Sequence, residues 1–176
     1  MKPYLPLLAA LLGLAQCKKK ADPAPVDQLP PATQTGANTF GCLLNGRPWT
    51  PQGFDGSLNL SAYYDRTYHQ GTFNIAAYRY ENGARTSQSI GIFSDSMRSV
   101  GRYKLRVQSH HGAGFINAPA NCEYSPNLPT TYCRGELVMT RFDDAAGVFS
   151  GTFYFTMATP TCDTIRVTAG RFDYRR

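Results

Sequence analysis

Histidine and paired carboxylates are the residues here that are best suited to acid–base or metal chemistry. The three histidines are His69, His110 and His111, and the last two are adjacent in a turn-like Ser-His-His-Gly segment. Adjacent residues of a strand point to opposite faces, and no acidic residue lies beside this pair, so we predict no metal site. Asp143 and Asp144 fall in a predicted hairpin turn, where Asp is favoured because it hydrogen-bonds to the backbone.

Nucleophile and phosphate-binding motifs are also missing from the sequence. It has no Gly-x-Ser-x-Gly elbow and no glycine-rich loop leading from a strand into a helix. We therefore predict no catalytic residues, no cofactor and no enzymatic activity. A hydrolase with an unrecognised site is the alternative from the enzyme class.

Aromatic residues are the more informative excess, with 11 Tyr, 10 Phe and one Trp. Two neighbouring predicted strands carry a cluster of tyrosines and arginines, namely Tyr63, Tyr64, Tyr78, Tyr80, Arg66 and Arg79. An exposed face of this composition suits a carbohydrate, a peptide or an anionic small molecule. The alternative is that cross-strand tyrosine pairs only cover the sheet.

The net charge of +6 at pH 7 is concentrated at the N-terminus. Four lysines precede residue 21, namely Lys2, Lys18, Lys19 and Lys20. The rest of the chain has 14 Lys and Arg residues and 12 Asp and Glu residues, which leaves a net charge of about +2. A groove that binds nucleic acid needs a strongly basic folded domain, so we predict no nucleic-acid partner.

From Thr39 onward the chain consists of short segments in which apolar and polar residues alternate, and these segments must position the candidate residues named above. Apolar residues recur with period two, as in Phe73, Ile75 and Ala77, and the last third of the chain has the pattern of two consecutive hairpins. Within these strands, Gly151 and Gly170 indicate bulges or close backbone packing. The sequence predicts one all-β domain over 39–176, an antiparallel sandwich or open barrel of about nine strands, with little or no helix outside the signal peptide.

The N-terminus has the pattern of an export signal. Residues 4–15 form an apolar run of 12, too short to span a bilayer and suited to a secretory signal. The following Leu14-Ala15-Gln16-Cys17 resembles the lipobox of bacterial lipoproteins, which implies cleavage after residue 16 and a lipid on the Cys17 thiol. The alternative is a free or disulfide-bonded Cys17. Residues 17–38 are then the lipidated cysteine and a flexible, proline-containing linker.

If Cys17 carries a lipid, four cysteines remain in an exported domain, and they can form two disulfides. Cys122 and Cys133 bracket a proline-containing loop, so we prefer the pairs Cys122–Cys133 and Cys42–Cys162 among the three possible pairings. A zinc site made of the four cysteines is the alternative, although no Cys-x-x-Cys pair is present.

Several short motifs occur in one order along the chain: Cys17 with three lysines, Phe40-Gly41-Cys42, Phe149-Ser150-Gly151 and Gly170-Arg171-Phe172-Asp173. Together they resemble a family of small Bacteroidota lipoproteins with no assigned activity. The resemblance implies a lipid anchor in the cell envelope, in the outer membrane, with the periplasmic face favoured because the lysines lack an acidic export cluster. We expect a non-catalytic domain for binding or scaffolding; a lipocalin-like carrier of a small apolar or anionic ligand is the alternative.

Overall fold

Eleven β-strands and three short 3₁₀ turns make up the computed structural model, which describes residues 22–54, 56–80 and 88–176. The strands are β1 (Thr39–Leu44), β2 (Arg47–Trp49), β3 (Leu60–Asp65), β4 (Thr72–Arg79), β5 (Gln88–Ser94), β6 (Gly101–Arg106), β7 (His111–Asn117), β8 (Cys122–Tyr124), β9 (Tyr132–Asp143), β10 (Val148–Thr159) and β11 (Cys162–Arg175). The 3₁₀ turns are Pro25–Gln28, Tyr68–Gln70 and Ala118–Ala120.

The strands form two antiparallel sheets. Sheet A has the order β2-β1-β11-β10-β9-β6, and sheet B has the order β3-β4-β5-β7-β8. The two sheets enclose one hydrophobic core whose largest fully buried members include Trp49, Phe73, Phe149, Phe155 and Phe172. The predicted all-β class is confirmed, and of the two predicted architectures the sandwich is the one observed.

In both sheets, buried and outward-facing side chains alternate along the strands. Phe73, Ile75 and Ala77 point into the core from β4, and Ile90 and Ile92 do so from β5, as their spacing predicts. Because successive residues of a strand face opposite sides, the residues between them form the outer faces of the sandwich. These outer faces are where the domain can meet a ligand.

The three longest strands, β9, β10 and β11, form a continuous meander, which confirms the two hairpins predicted at the C-terminus. The β9–β10 register shifts between Ser150 and Gly151, and a Cβ on Gly151 would lie 2.7 Å from the Val138 carbonyl oxygen. A Cβ on Gly170 would overlap the Phe153 ring. Both glycines therefore mark a bulge or a close approach, as their positions in the strands predict.

Residues 22–38 were predicted to belong to a flexible linker, but in the structure they follow a defined path on sheet A. Leu29 is buried, and Pro30 packs over Gly41 of β1. The buried carboxylate of Asp173 then accepts hydrogen bonds from Thr33 Oγ1, Thr35 N and Oγ1, Gly36 N, Ala37 N and Ser150 Oγ. We call residues 29–37 the N-terminal strap. The prediction missed it because an aspartate over 130 residues away supplies the acceptor.

The predicted disulfide pairing is wrong. Cys122 is bonded to Cys162, with their Cα atoms 6.0 Å apart, whereas Cys42 and Cys133 are free and buried. Tyr124 donates a hydrogen bond to the Asp163 carbonyl, so β8 lies against the β10–β11 turn. This contact brings Cys122 of β8 close to Cys162.

The register of sheet A also explains why Cys42 and Cys133 cannot form a disulfide with each other. Cys42 is in β1 and Cys133 is in β9, and two strands separate them. Three strand spacings amount to about 14 Å, well beyond the reach of a disulfide. Cys42 lies opposite the segment around Ala169, about seven residues along β11 from Cys162, which excludes that pair as well.

Candidate anion-binding face

A row of arginines crosses the outer face of sheet A. Arg106 of β6 lies directly opposite Arg134 of β9, which is opposite Thr156 of β10, which in turn is opposite Arg166 of β11. Their neighbours in sequence, Leu105 and Val167 among them, are buried in the core, so strand alternation sends the arginines outward. With strands about 4.8 Å apart, the row extends for about 14 Å.

Two further cations extend this surface along β6, where Arg102, Lys104 and Arg106 alternate with inward residues. We call the set Arg102, Lys104, Arg106, Arg134 and Arg166 the basic patch. Glu136 lies among them and forms an ion pair with Arg102 at 2.6 Å. Within the described residues, the side chains of the other four cations form no hydrogen bond or ion pair with the protein.

The centre of the basic patch is a half-open depression of about 420 Å³. Two half-exposed tyrosines, Tyr132 and Tyr154, contribute to its lining, as does Glu136. Arg106 and Arg134 are directly opposite each other, an arrangement of like charges that destabilises a sheet unless counterions or a ligand neutralise it. Planar guanidinium groups bind phosphate or carboxylate oxygens in a bidentate manner, so this surface is suited to a ligand with several anionic groups.

The N-terminal strap lies on the same outer face of sheet A, next to the basic patch. Ala32 of the strap lines a second depression together with Glu136, Tyr154 and Arg171. Arg171 donates a hydrogen bond to the Pro30 carbonyl at 3.4 Å, and Arg141 donates one to the Gln34 carbonyl at 2.6 Å. The outer face of sheet A is therefore divided into a part covered by the strap and an open, basic part.

The tyrosines that the sequence singles out do not share one face. Tyr63 is 57% exposed on the outer face of sheet B, whereas Tyr64, its neighbour in β3, is buried and donates a hydrogen bond to the Met97 carbonyl. Tyr78 is half-buried and stacks on Tyr80, which is itself buried. Burial raises the pKa of Tyr64, and a hydrogen bond to Asp65 raises that of Tyr63.

The two arginines of that cluster have partners within the protein. Arg66 forms an ion pair with Asp144 at 2.8 Å. Arg79 lies over the Trp49 ring, 5.2 Å from its centroid, and donates hydrogen bonds to the Thr50 carbonyl. The structure therefore does not assemble the six predicted residues into one surface, although Tyr63 and Tyr78 do lie on the outer side of sheet B.

A serine–histidine pair lies near the end of β5. Ser94 Oγ is 2.7 Å from Nδ1 of His111, its cross-strand neighbour in β7. Ser94 has no exposed surface, so this hydroxyl cannot reach a substrate in the folded state. Burial and the neighbouring His110 lower the pKa of His111. His69 lies 3.4 Å from Asp95, and the described residues contain no group of three or more His, Cys, Asp or Glu that could hold a metal ion.

The net charge of the chain does not reveal the basic patch, because it contains no information about where the arginines and lysines lie. The alternation of Arg102, Lys104 and Arg106 with Tyr103 and Leu105 was present in the sequence and indicates a strand with one cationic side. The arginine row could not be derived in the same way, since it depends on the register of β6 with β9, which are 25 residues apart at their nearest ends, and of β10 with β11.

Comparison with known proteins gave no matching family model, no similar curated protein and no similar solved structure. Among the residues that the structure describes, no helix has the length and hydropathy needed to span a membrane. Cys17 and the predicted signal peptide before it, residues 1–16, lie outside the described residues.

Proposed function

We propose that the protein is an exported lipoprotein, anchored in the envelope through Cys17, whose sandwich binds a multivalent anionic ligand on the basic patch without catalysis. The single observation that carries the proposal is the arginine row, with Arg106, Arg134 and Arg166 on one outer face. The strand register fixes the backbone positions of these arginines, so their side chains project from one face with a defined spacing.

A binding role is also supported by the way the charges are distributed. Four cations of the patch have no carboxylate partner among the described residues, whereas Arg66 and Arg141, elsewhere on the surface, pair with Asp144 and Asp143. The lipocalin-like alternative needs an enclosed cavity, and here the space between the sheets is filled by buried aromatic and aliphatic side chains. Surface binding is therefore the better-supported of the two.

The anchor is tested by metabolic labelling with an alkyne fatty acid in the cells that produce the protein. We expect label on the wild-type chain and none on Cys17→Ala, because the lipid is attached to the Cys17 thiol. A wild-type chain without label, or a labelled Cys17→Ala chain, would contradict the lipoprotein assignment.

Anion binding is tested by titrating the full chain with inorganic polyphosphate, with neutral dextran as the control polymer. We expect Arg134→Gln and Arg166→Gln together to weaken polyphosphate binding at least tenfold, and added salt to weaken it further. Arg66→Gln is the control, since it removes an exposed arginine on another surface; because it removes one charge instead of two, the losses are compared per arginine removed. Equal losses from the patch variant and the control variant would show that binding is nonspecific and would refute the proposed site.

A further inference from the structure

The anion that the basic patch binds can be identified from where the chain meets the sandwich. Before the strap, the 3₁₀ turn Pro25–Gln28 contacts β1 and β2 of sheet A, and the strap then runs over the outer face of that sheet. Among the described residues, the N-terminal segment therefore contacts the same sheet whose outer face carries the basic patch.

The length of chain between the predicted lipid and the sandwich is short. Eight residue steps separate Cys17 from Pro25, where the 3₁₀ turn that contacts β1 and β2 begins, and a fully extended chain covers at most about 29 Å over that length. Three of the intervening residues, Lys18, Lys19 and Lys20, are cationic as well. A sandwich held this close to a bilayer keeps one side near the headgroups.

We propose that the basic patch docks on the anionic phosphate headgroups of the membrane in which the protein is anchored, so that sheet A faces the lipid and sheet B faces away from it. The inference rests on the lipid anchor and the anion-binding patch of the proposed function. The charge of the patch is complementary to an anionic bilayer, and the short connection to Cys17 replaces a bimolecular encounter by an intramolecular one.

Two further features of the patch fit a headgroup layer. Its arginines lie in a row on one sheet face and are open to solvent, so they can contact several phosphates of a headgroup layer at once. Tyr132 and Tyr154 project from it, each about half exposed, and tyrosine is enriched where a protein meets the interface between lipid and water. Cations of such a surface each strengthen binding to an anionic bilayer about fivefold.

The orientation can be measured with the full, lipidated chain in vesicles. One variant carries an environment-sensitive fluorophore at Thr168→Cys, an exposed position of β11 two residues after Arg166; the control carries it at Ser61→Cys, an exposed position of β3 on the outer face of sheet B. The buried thiols of Cys42 and Cys133 do not compete for the label. Quenching by a spin-labelled lipid reports which face lies at the membrane.

In vesicles with 30% phosphatidylglycerol we expect strong quenching at position 168 and little at position 61. The difference should fall in pure phosphatidylcholine and in high salt, and the double change Arg134→Gln and Arg166→Gln should remove most of it, whereas Arg66→Gln should not. Equal quenching at the two positions, or quenching that does not depend on the charge of the lipid, would overturn the inference.

The outcome also separates this inference from the proposed function. If the patch binds soluble polyphosphate but the fluorophore at position 168 is not quenched, the anion is a soluble one and only the membrane-docking inference is wrong. If neither polyphosphate nor phosphatidylglycerol vesicles bind through the patch, both are wrong. If the purified chain carries no lipid, the anchor is refuted, and polyphosphate titration still tests the patch.

Discussion

Replacement of Asp173 by Asn is the most direct test of how the strap is held. Asp173 has no exposed surface, and its two carboxylate oxygens accept bonds of 2.6–3.3 Å from five residues. Three of the donors are backbone N–H groups that cannot reorient. Asparagine would remove the charge and direct an NH₂ group at donors, which leaves several buried groups unsatisfied.

Removing one side of a buried, charged hydrogen-bond network costs about 3 kcal/mol or more, so we expect Asp173→Asn to lower the free energy of unfolding by about that amount. For a chain of this size, such a loss lowers Tm by about 6–12 °C. The assay is urea unfolding at pH 7, with hydrogen exchange of the Thr35, Gly36 and Ala37 amides. Asp163→Asn is the matched control because Asp163 is exposed.

The pH dependence of stability gives a second readout. Burial alone would raise the pKa of Asp173, but the hydrogen bonds from Thr33, Ser150, Gly36 and Ala37 outweigh it and hold the pKa below its ordinary value. A lowered native pKa stabilises the fold above the unfolded pKa of about 3.9, and this contribution is lost as the pH falls towards the native value.

The Asp173→Asn variant should therefore lose stability less steeply than the wild type between pH 4 and pH 2. If the variant unfolds at the same urea concentration as the wild type at pH 7 and its strap amides stay protected, the carboxylate does not hold the strap and the reasoning is wrong.

Three further outcomes follow from the cysteines and from the buried serine. Breaking the Cys122–Cys162 disulfide, which closes a 40-residue separation, should cost about 4 kcal/mol in the loop-closure account; a reduced protein as stable as the oxidised one would contradict it. Burial raises the pKa of Cys42 to about 12 and also raises that of Cys133, so both thiols should react with Ellman's reagent only after unfolding; rapid reaction of the native chain would show that they are accessible. A fluorophosphonate probe should leave Ser94 unmodified, and a modified Ser94 would show that the Ser94–His111 pair is a working nucleophile and base.

The recurrence of apolar residues at every second position was the sequence feature that predicted the fold reliably. It identified inward residues such as Phe73 and Ile92, the C-terminal meander and the all-β class, because alternation in a strand depends only on neighbouring residues. The same rule, applied to Tyr63 and Tyr64, would have shown that adjacent residues of one strand cannot share a face.

Features that depend on distant pairing could not be derived from the sequence. The Cys122–Cys162 bond depends on β8 joining sheet B while lying against the β10–β11 turn of sheet A. The strap depends on Asp173, and the arginine row depends on register across four strands. The disulfide, the strap and the β6–β9 pairing of the row join residues far apart in sequence, so local patterns contain no information about these contacts.

The strap connects the proposed anchor at Cys17 to the sheet that carries the proposed binding surface, so the two proposals can be tested together. With the strap bound, the connection from Cys17 to the 3₁₀ turn at Pro25 is eight residue steps. With the strap released by Asp173→Asn, the freed chain extends to about Asn38, some 21 residue steps with a root-mean-square span of about 25 Å. The patch itself would be unchanged, so soluble polyphosphate should bind the variant as it binds the wild type. The longer connection lowers the effective concentration of headgroups at the patch and relaxes its orientation, so quenching at Thr168→Cys should decrease. Unchanged quenching would mean that the charge of the patch alone, without the strap, orients the sandwich on the membrane.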